Sequence, residues 1–196
     1  MEKAGQNLRV SVILAGGGSR RMGGADKGGL LLGGRRIFDL VLERLKPQSE
    51  IILISGAHDY GSGLTVLTDE TSGPRGPAAG LWAALKWMEE NAPGAPGFLA
   101  APVDGPFLPP ELRARLASVD GSALAANSEG VHPTFAYWRR DALKTALDAA
   151  PANYGYPLKE LAERVSATPI LFKDAHAFDN INTPDDLKRA EARLRA

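Results

Sequence analysis

The chain has 196 residues, 23 basic and 23 acidic side chains and no cysteine. Zero formal charge supplies no global field for nucleic acid or an anionic membrane, and the missing thiols exclude disulfides and thiolate metal sites. The length suits one domain, 1–196, with a substantial core. Residues 1–7 read as a disordered tail without an apolar signal segment, and no run approaches a membrane span, so the cytoplasm is the expected location.

Val10 to Leu14 is an apolar run expected to form a buried strand. A glycine-rich loop follows, ending at Asp26-Lys27. Ile37, Leu40, Val41 and Leu45 then recur at helical spacing, with Pro47 marking the end. Ile51 to Ile54 and Leu64 to Leu67 are further strands. Pro77 opens a helix that places Leu81, Leu85 and Met88 on one face. Phe98 to Val103 is the next strand, followed at once by Asp104-Gly105-Pro106, and Pro109-Pro110 open a helix with Leu112 and Leu116.

Strands are expected at Ala123 to Ala126, Thr134 to Trp138 and Pro169 to Phe172, and helices at Asp141 to Ala149 and Leu158 to Val165. Pro184 opens a terminal helix with Leu187, Ala190 and Leu194, and Thr183 is placed to cap it. Strands alternating with helices predict an α/β fold: a Rossmann-like, mostly parallel sheet with helices on both faces. Ligands of such sheets sit beyond the carboxyl ends of the strands. Three loops there carry chemistry: Gly16 to Lys27, Asp69 to Gly80 and Asp104 to Pro109.

In the first of these, glycines let backbone N–H groups crowd an anion, and Arg20, Arg21 and Lys27 add positive charge. A polyphosphate matches that set. It is not a Walker A loop, because Lys27 follows Asp26 and precedes Gly28. Nor is it the dinucleotide fingerprint, because Arg21 stands where the third glycine belongs. Asp104 emerges from a buried strand and is placed either to hold a divalent cation that bridges phosphates or simply to form a turn. Asp69 is similarly open between a cap and a contact to base or ribose. Gly76 to Gly80 permits either close approach to a flat ligand or tight packing of a helix start. His132 stands alone with no partner at metal-ligand spacing, and His58 and His176 lie in polar loops. Asn180, Asn182 and Thr183 cluster before the last helix, where turn and capping roles are commonest. No G-x-S-x-G supports a serine nucleophile.

L-A-G-G-G-S-R-R-M-G-G-A-D-K at Leu14 to Lys27, with the leucine-rich stretch to Gly34, resembles the signature of nucleotidyltransferases that couple a nucleoside triphosphate to a phosphorylated small molecule. It is most similar to that of the molybdenum cofactor guanylyltransferases. The resemblance continues in order through G-P-A-A-G-L (Gly76 to Leu81), P-V-D-G-P-F-L-P (Pro102 to Pro109), H-P-T (His132 to Thr134) and N-I-N-T-P-D-D-L (Asn180 to Leu187). It implies a nucleotide-diphospho-sugar transferase-like fold. It also implies transfer of GMP from GTP to the terminal phosphate of Mo-molybdopterin, with Mg²⁺ as cofactor and without a protein nucleophile.

By the same resemblance Arg21, Lys27 and Asp104 are catalytic, and Asp104 is the metal ligand. Leu14, Ala15, Gly16, Gly17, Lys27, Ser55, Asp69, Gly80 and Asp104 bind the nucleotide, and His132, Asn180 and Asn182 line the pterin site. Cofactor-biosynthesis or delivery proteins are further implied partners. The chain departs from the family pattern at Ser55-Gly56, where an asparagine is frequent, and at Asn153 to Lys159, where a Gly-x-Arg segment is frequent. Two readings stand beside this one: a cytidylyltransferase acting on molybdopterin or another phosphorylated small molecule, and a nucleotide-binding partner protein without catalysis.

Overall fold

A computed structural model describes residues 8–16, 26–68, 73–149, 151 and 154–195. In chain order the elements are β1 (Val10–Leu14), β2 (Leu31–Leu32), β3 (Arg35–Arg36), α1 (Ile37–Leu45), β4 (Ile51–Ser55), β5 (Thr65–Leu67), α2 (Pro77–Asn91) and β6 (Gly97–Pro102). They continue with α3 (Leu112–Leu116), β7 (Ala123–Asn127), β8 (Gly130–Arg139), α4 (Arg140–Asp148), α5 (Leu158–Arg164), β9 (Thr168–Leu171) and α6 (Pro184–Arg195). The predicted elements are all present, with ends shifted by a few residues at most apart from β8, which starts earlier than its apolar run. The β2–β3 hairpin is additional. Its two-residue Gly33-Gly34 turn has φ of 60° and 81°, the left-handed pair that closes a tight hairpin.

Seven strands form one sheet in the order β5-β4-β1-β6-β8-β7-β9. β1 lies in its parallel heart, with Val12 opposite Leu53 of β4 and Ala100 of β6. β8 alone runs against its neighbours, antiparallel to both β6 and β7. Where β8 passes Pro133, which has no N–H to offer a ladder, its register with β7 shifts between Leu124 and Ala125.

Helices cover both faces. On one, Leu81, Leu85 and Met88 of α2 pack with Leu143 and Leu147 of α4 and Leu158 and Leu161 of α5. On the other, Phe38, Val41 and Leu45 of α1 join Leu112 and Leu116 of α3. A smaller cluster of Leu32, Ile37, Phe107, Ile181 and Ala190 fastens α6 to the hairpin and α1. Among the described residues no helix is long and apolar enough to cross a membrane.

The chain leaves β1 through α1 toward β4, and returns through α2 to β6 on the opposite flank of β1. That reversal opens a crevice at the carboxyl ends of β1 and β6, where ligands of such sheets bind. The antiparallel β8 begins at the same end.

Candidate active site

The crevice encloses about 450 Å³. Its floor is the end of β1: Leu14, Ala15 and Gly16 line it, with Ser55 from β4 and Gly80 from α2 alongside. The floor is tied together by main-chain bonds, Ala15 N–H to the Ser55 carbonyl at 2.7 Å and Val103 N–H to the Leu14 carbonyl at 3.0 Å. Gly80 answers to packing here: a Cβ at that position would sit 2.2 Å from Ser55 Oγ. The close approach serves the helix start, and it also leaves the Gly80 backbone at the crevice wall.

Lys27, Asp104 and Asn182 come from three distant stretches and meet in this crevice. Lys27 Nζ donates to Asp104 Oδ2 at 2.7 Å and also to Asn182 Oδ1. Each partner is locally fixed. Asp104 follows β6 in a turn where Gly105 N–H reaches the Pro102 carbonyl, and the Asp104 carbonyl accepts from Ile181 N–H at 2.9 Å. Gly105 is required there, since a Cβ would lie 2.3 Å from the Phe135 ring. Asn182 stands just before α6, whose start is doubly capped. Thr183 Oγ1 accepts from Asp186 N–H, while Asp186 Oδ2 accepts from the N–H groups of Asn182 and Thr183. Thr183 is thus the cap predicted for it.

Asp104 is only 9% exposed, so its charge is held by the lysine rather than by bulk water. Among the described residues no three histidine or acidic side chains gather as a metal cage. The Asp104 carboxylate facing a phosphate-sized crevice still suits Mg²⁺, which takes one or two carboxylates and completes its shell with water and phosphate oxygens.

Asn180 lines the same crevice, and its Oδ1 is buried with no hydrogen-bond partner among the described residues. His132 stands outside the lining. The Asn127 amide gives its N–H to the Ala175 carbonyl and accepts Glu129 N–H at Oδ1, so His132 Nε2 must be the donor in its 2.9 Å contact with that same oxygen. Its ring packs 5.1 Å from Phe178. Burial holds the imidazole below its ordinary pKa, against the opposing pull of Glu129 and Asp179. Thr134, two residues along the same strand, is the one that reaches the crevice; period-two alternation from His132 was the signal for it. Gly17, Arg21 and Asp69 lie outside the described residues, as does Asn153.

Asp26, which the sequence marked only as the neighbour of Lys27, also lines the crevice. Its carboxylate accepts from Tyr60 Oη at 2.8 Å, from Gly28 N–H at 3.2 Å and contacts His58 Nε2 at 3.1 Å. Burial pushes Asp26 up, but the hydrogen bonds of His58, Tyr60 and Gly28 outweigh it and hold the carboxyl below its usual value.

A switch-point crevice floored by close-approach backbone and carrying a lysine–aspartate pair defines a nucleotidyltransferase of the nucleotide-diphospho-sugar transferase fold. The chain belongs to the family of the MobA-like NTP transferase domain, which it matches over residues 11–167. It is 42% identical over 193 residues to a molybdenum cofactor guanylyltransferase of Cereibacter sphaeroides, covering 94% of this chain and 96% of that one. A molybdenum cofactor guanylyltransferase of Mesorhizobium japonicum is 39% identical over 202 residues, covering 94% and 95%. Among solved structures, the molybdopterin-guanine dinucleotide biosynthesis protein A of Archaeoglobus fulgidus superposes with a TM-score of 0.70 at 26% identity, covering 95% of this chain and 98% of that one.

Proposed function

We propose that this chain transfers GMP from GTP to the terminal phosphate of Mo-molybdopterin, with Mg²⁺ as the cation, in the cytoplasm. The observation that carries the reading is the meeting of Lys27, Asp104 and Asn182 in one crevice. An oxygen of the acceptor phosphate forms a bond to the α-phosphorus of GTP. The bond from that phosphorus to the oxygen leading to the β-phosphate breaks, and pyrophosphate leaves with the electron pair. An ionised phosphate needs no general base, which agrees with a site built from charge and backbone rather than from a nucleophile.

Leu14, Ala15 and Gly16 would carry the nucleoside on backbone atoms, with Ser55 and Gly80 beside it. Lys27 would turn from Asp104 toward the triphosphate and offset the charge that develops as the α–β bond breaks. Asp104 would hold Mg²⁺, which when bound neutralises phosphate oxygens. Gly17, Arg21 and Asp69 keep their roles by resemblance: contact to the nucleotide, charge stabilisation at the breaking bond and a hold on the guanosine end. Asn180 and Asn182 would face the acceptor, and Asn180 Oδ1, which has no hydrogen-bond partner among the described residues, suits a pterin N–H. His132 would support that wall through Asn127 and Phe178. Cofactor-biosynthesis or delivery proteins would supply and remove the pterin.

Calorimetric titration of GTP, CTP, ATP and UTP, each with and without Mg²⁺, tests this, followed by pyrophosphate release with Mo-molybdopterin. Mg²⁺-dependent preference for GTP is expected, and Asp104→Asn should abolish the metal dependence. A preference for CTP would assign the cytidylyl reaction instead. GTP binding without pyrophosphate release would favour the non-catalytic partner protein, and no nucleotide binding at all would reject the assignment.

A further inference from the structure

Tyr60 lies far from Lys27 in sequence, in a polar loop after β4, yet it touches the chain on both sides of that lysine. Its hydroxyl donates to Asp26 Oδ1, one residue before Lys27. Its ring presses on Gly28, one residue after: a Cβ on Gly28 would lie 2.6 Å from Tyr60 Cε1. Asp26 in turn caps the single 3₁₀ turn, Lys27–Gly29, that begins with the lysine.

Tyr60 is itself immobilised. It is 8% exposed and stacks on Phe38 of α1 with ring centroids 4.3 Å apart and planes 17° from parallel. Its φ is 57°, a left-handed conformation that a bulky residue adopts only when surroundings impose it. The restraints are visible. Arg36 grips Asp39 with two bonds and gives a third, at 2.7 Å, to the Tyr60 carbonyl. Asp59 accepts from Gly61 and Gly63 N–H and so sets the turn that follows. A strained, buried tyrosine anchored on α1 and bonded to the residue beside Lys27 is more than packing requires.

We propose that Tyr60 is a positioning residue for the transfer reaction, acting through Asp26 to fix the Lys27 backbone so that its ammonium reaches the triphosphate. This rests on the phosphate role assigned to Lys27 above. A phenylalanine at position 60 keeps the stacking and the ring contact with Gly28 and removes only the hydroxyl. Loss of one hydrogen bond to a charged group then sets the expected effect.

The test measures kcat by pyrophosphate release, and Mg²⁺-GTP affinity by calorimetry, for Tyr60→Phe made in the wild-type and Lys27→Ala backgrounds. With Lys27 present, kcat should fall about tenfold, GTP affinity should fall severalfold and the acceptor KM should hold. In the Lys27→Ala background the affinity should not fall further, because the group being positioned is gone. Unchanged kcat and affinity in Tyr60→Phe, or an equal affinity loss in both backgrounds, would overturn the proposal. Should Tyr60→Phe not fold, Asp26→Ala in both backgrounds must show the same pattern. A wild type that binds GTP but releases no pyrophosphate would fault the transfer reading, and the affinity cycle would still judge Tyr60.

Discussion

The two walls of the crevice are built to different standards. On the side proposed for the nucleotide, Lys27 is bonded to Asp104 and Asn182, Asp26 to Tyr60, Gly28 and His58, and Ala15 N–H to Ser55. On the side proposed for the acceptor, Asn180 Oδ1 has no partner among the described residues, and His132 is turned into Asn127 and Phe178. The first wall is organised ahead of the ligand proposed for it, while the second leaves the buried Asn180 oxygen open among the described residues. Charge stabilisation is most effective from groups that need no reorganisation, so the finished wall is where turnover should be most sensitive.

The largest expected effect is therefore Lys27→Ala. Removing a preorganised cation should lower kcat by roughly 10²–10³-fold, about 2.7–4 kcal/mol of transition-state stabilisation. Pyrophosphate release at the wild-type rate would dissolve the contrast between the walls. Gly80→Ala comes next. Its Cβ would fall 2.2 Å from Ser55 Oγ and 2.9 Å from Ser55 Cβ, so overpacking should destabilise the fold by about 1–3 kcal/mol. A thermal melt indistinguishable from wild type would show that this wall yields more easily than its contacts imply.

The smallest effects belong to His132. Its replacement by alanine should raise the acceptor KM a few-fold and leave GTP affinity alone; the reverse pattern would move it to the nucleotide wall. Its protonation sharpens the point. Burial depresses the folded pKa below the unfolded value of about 6.5, so the unfolded chain takes up the proton first. Stability from neutral His132 is fully present above that unfolded value and is lost as pH falls through the folded pKa. Melts from about pH 7.5 down to 5 should show a decline that His132→Gln reduces.

The same division governs what could be read from the sequence. β1, β4 and β6 were legible because buried parallel strands write continuous apolar runs. Asp104 and the asparagines were legible as crevice residues because each abuts a strand end or helix start. β8 was half legible: its buried part, Phe135 to Trp138, is an apolar stretch, but Gly130 to Pro133 is polar and more exposed and carries no such run. Nothing local encodes that β8 runs backwards. Tyr60 and His58 were silent as site residues, since their connection to Asp26 is made entirely by the path of the chain through α1 and β4. The bond between Asn182 and Lys27 was equally silent, because residues 155 apart share no periodicity.

The capping of α6 reaches into the crevice. Asn182 is presented to Lys27 by a helix start that Asp186 and Thr183 lock and that Ala190 fastens onto Ile37 and Leu32. The Asn182 side of the crevice therefore depends on the docking of α6 onto the hairpin and α1. Loosening α6 from that seat should withdraw Asn182 from Lys27 while leaving the Lys27–Asp104 pair in place.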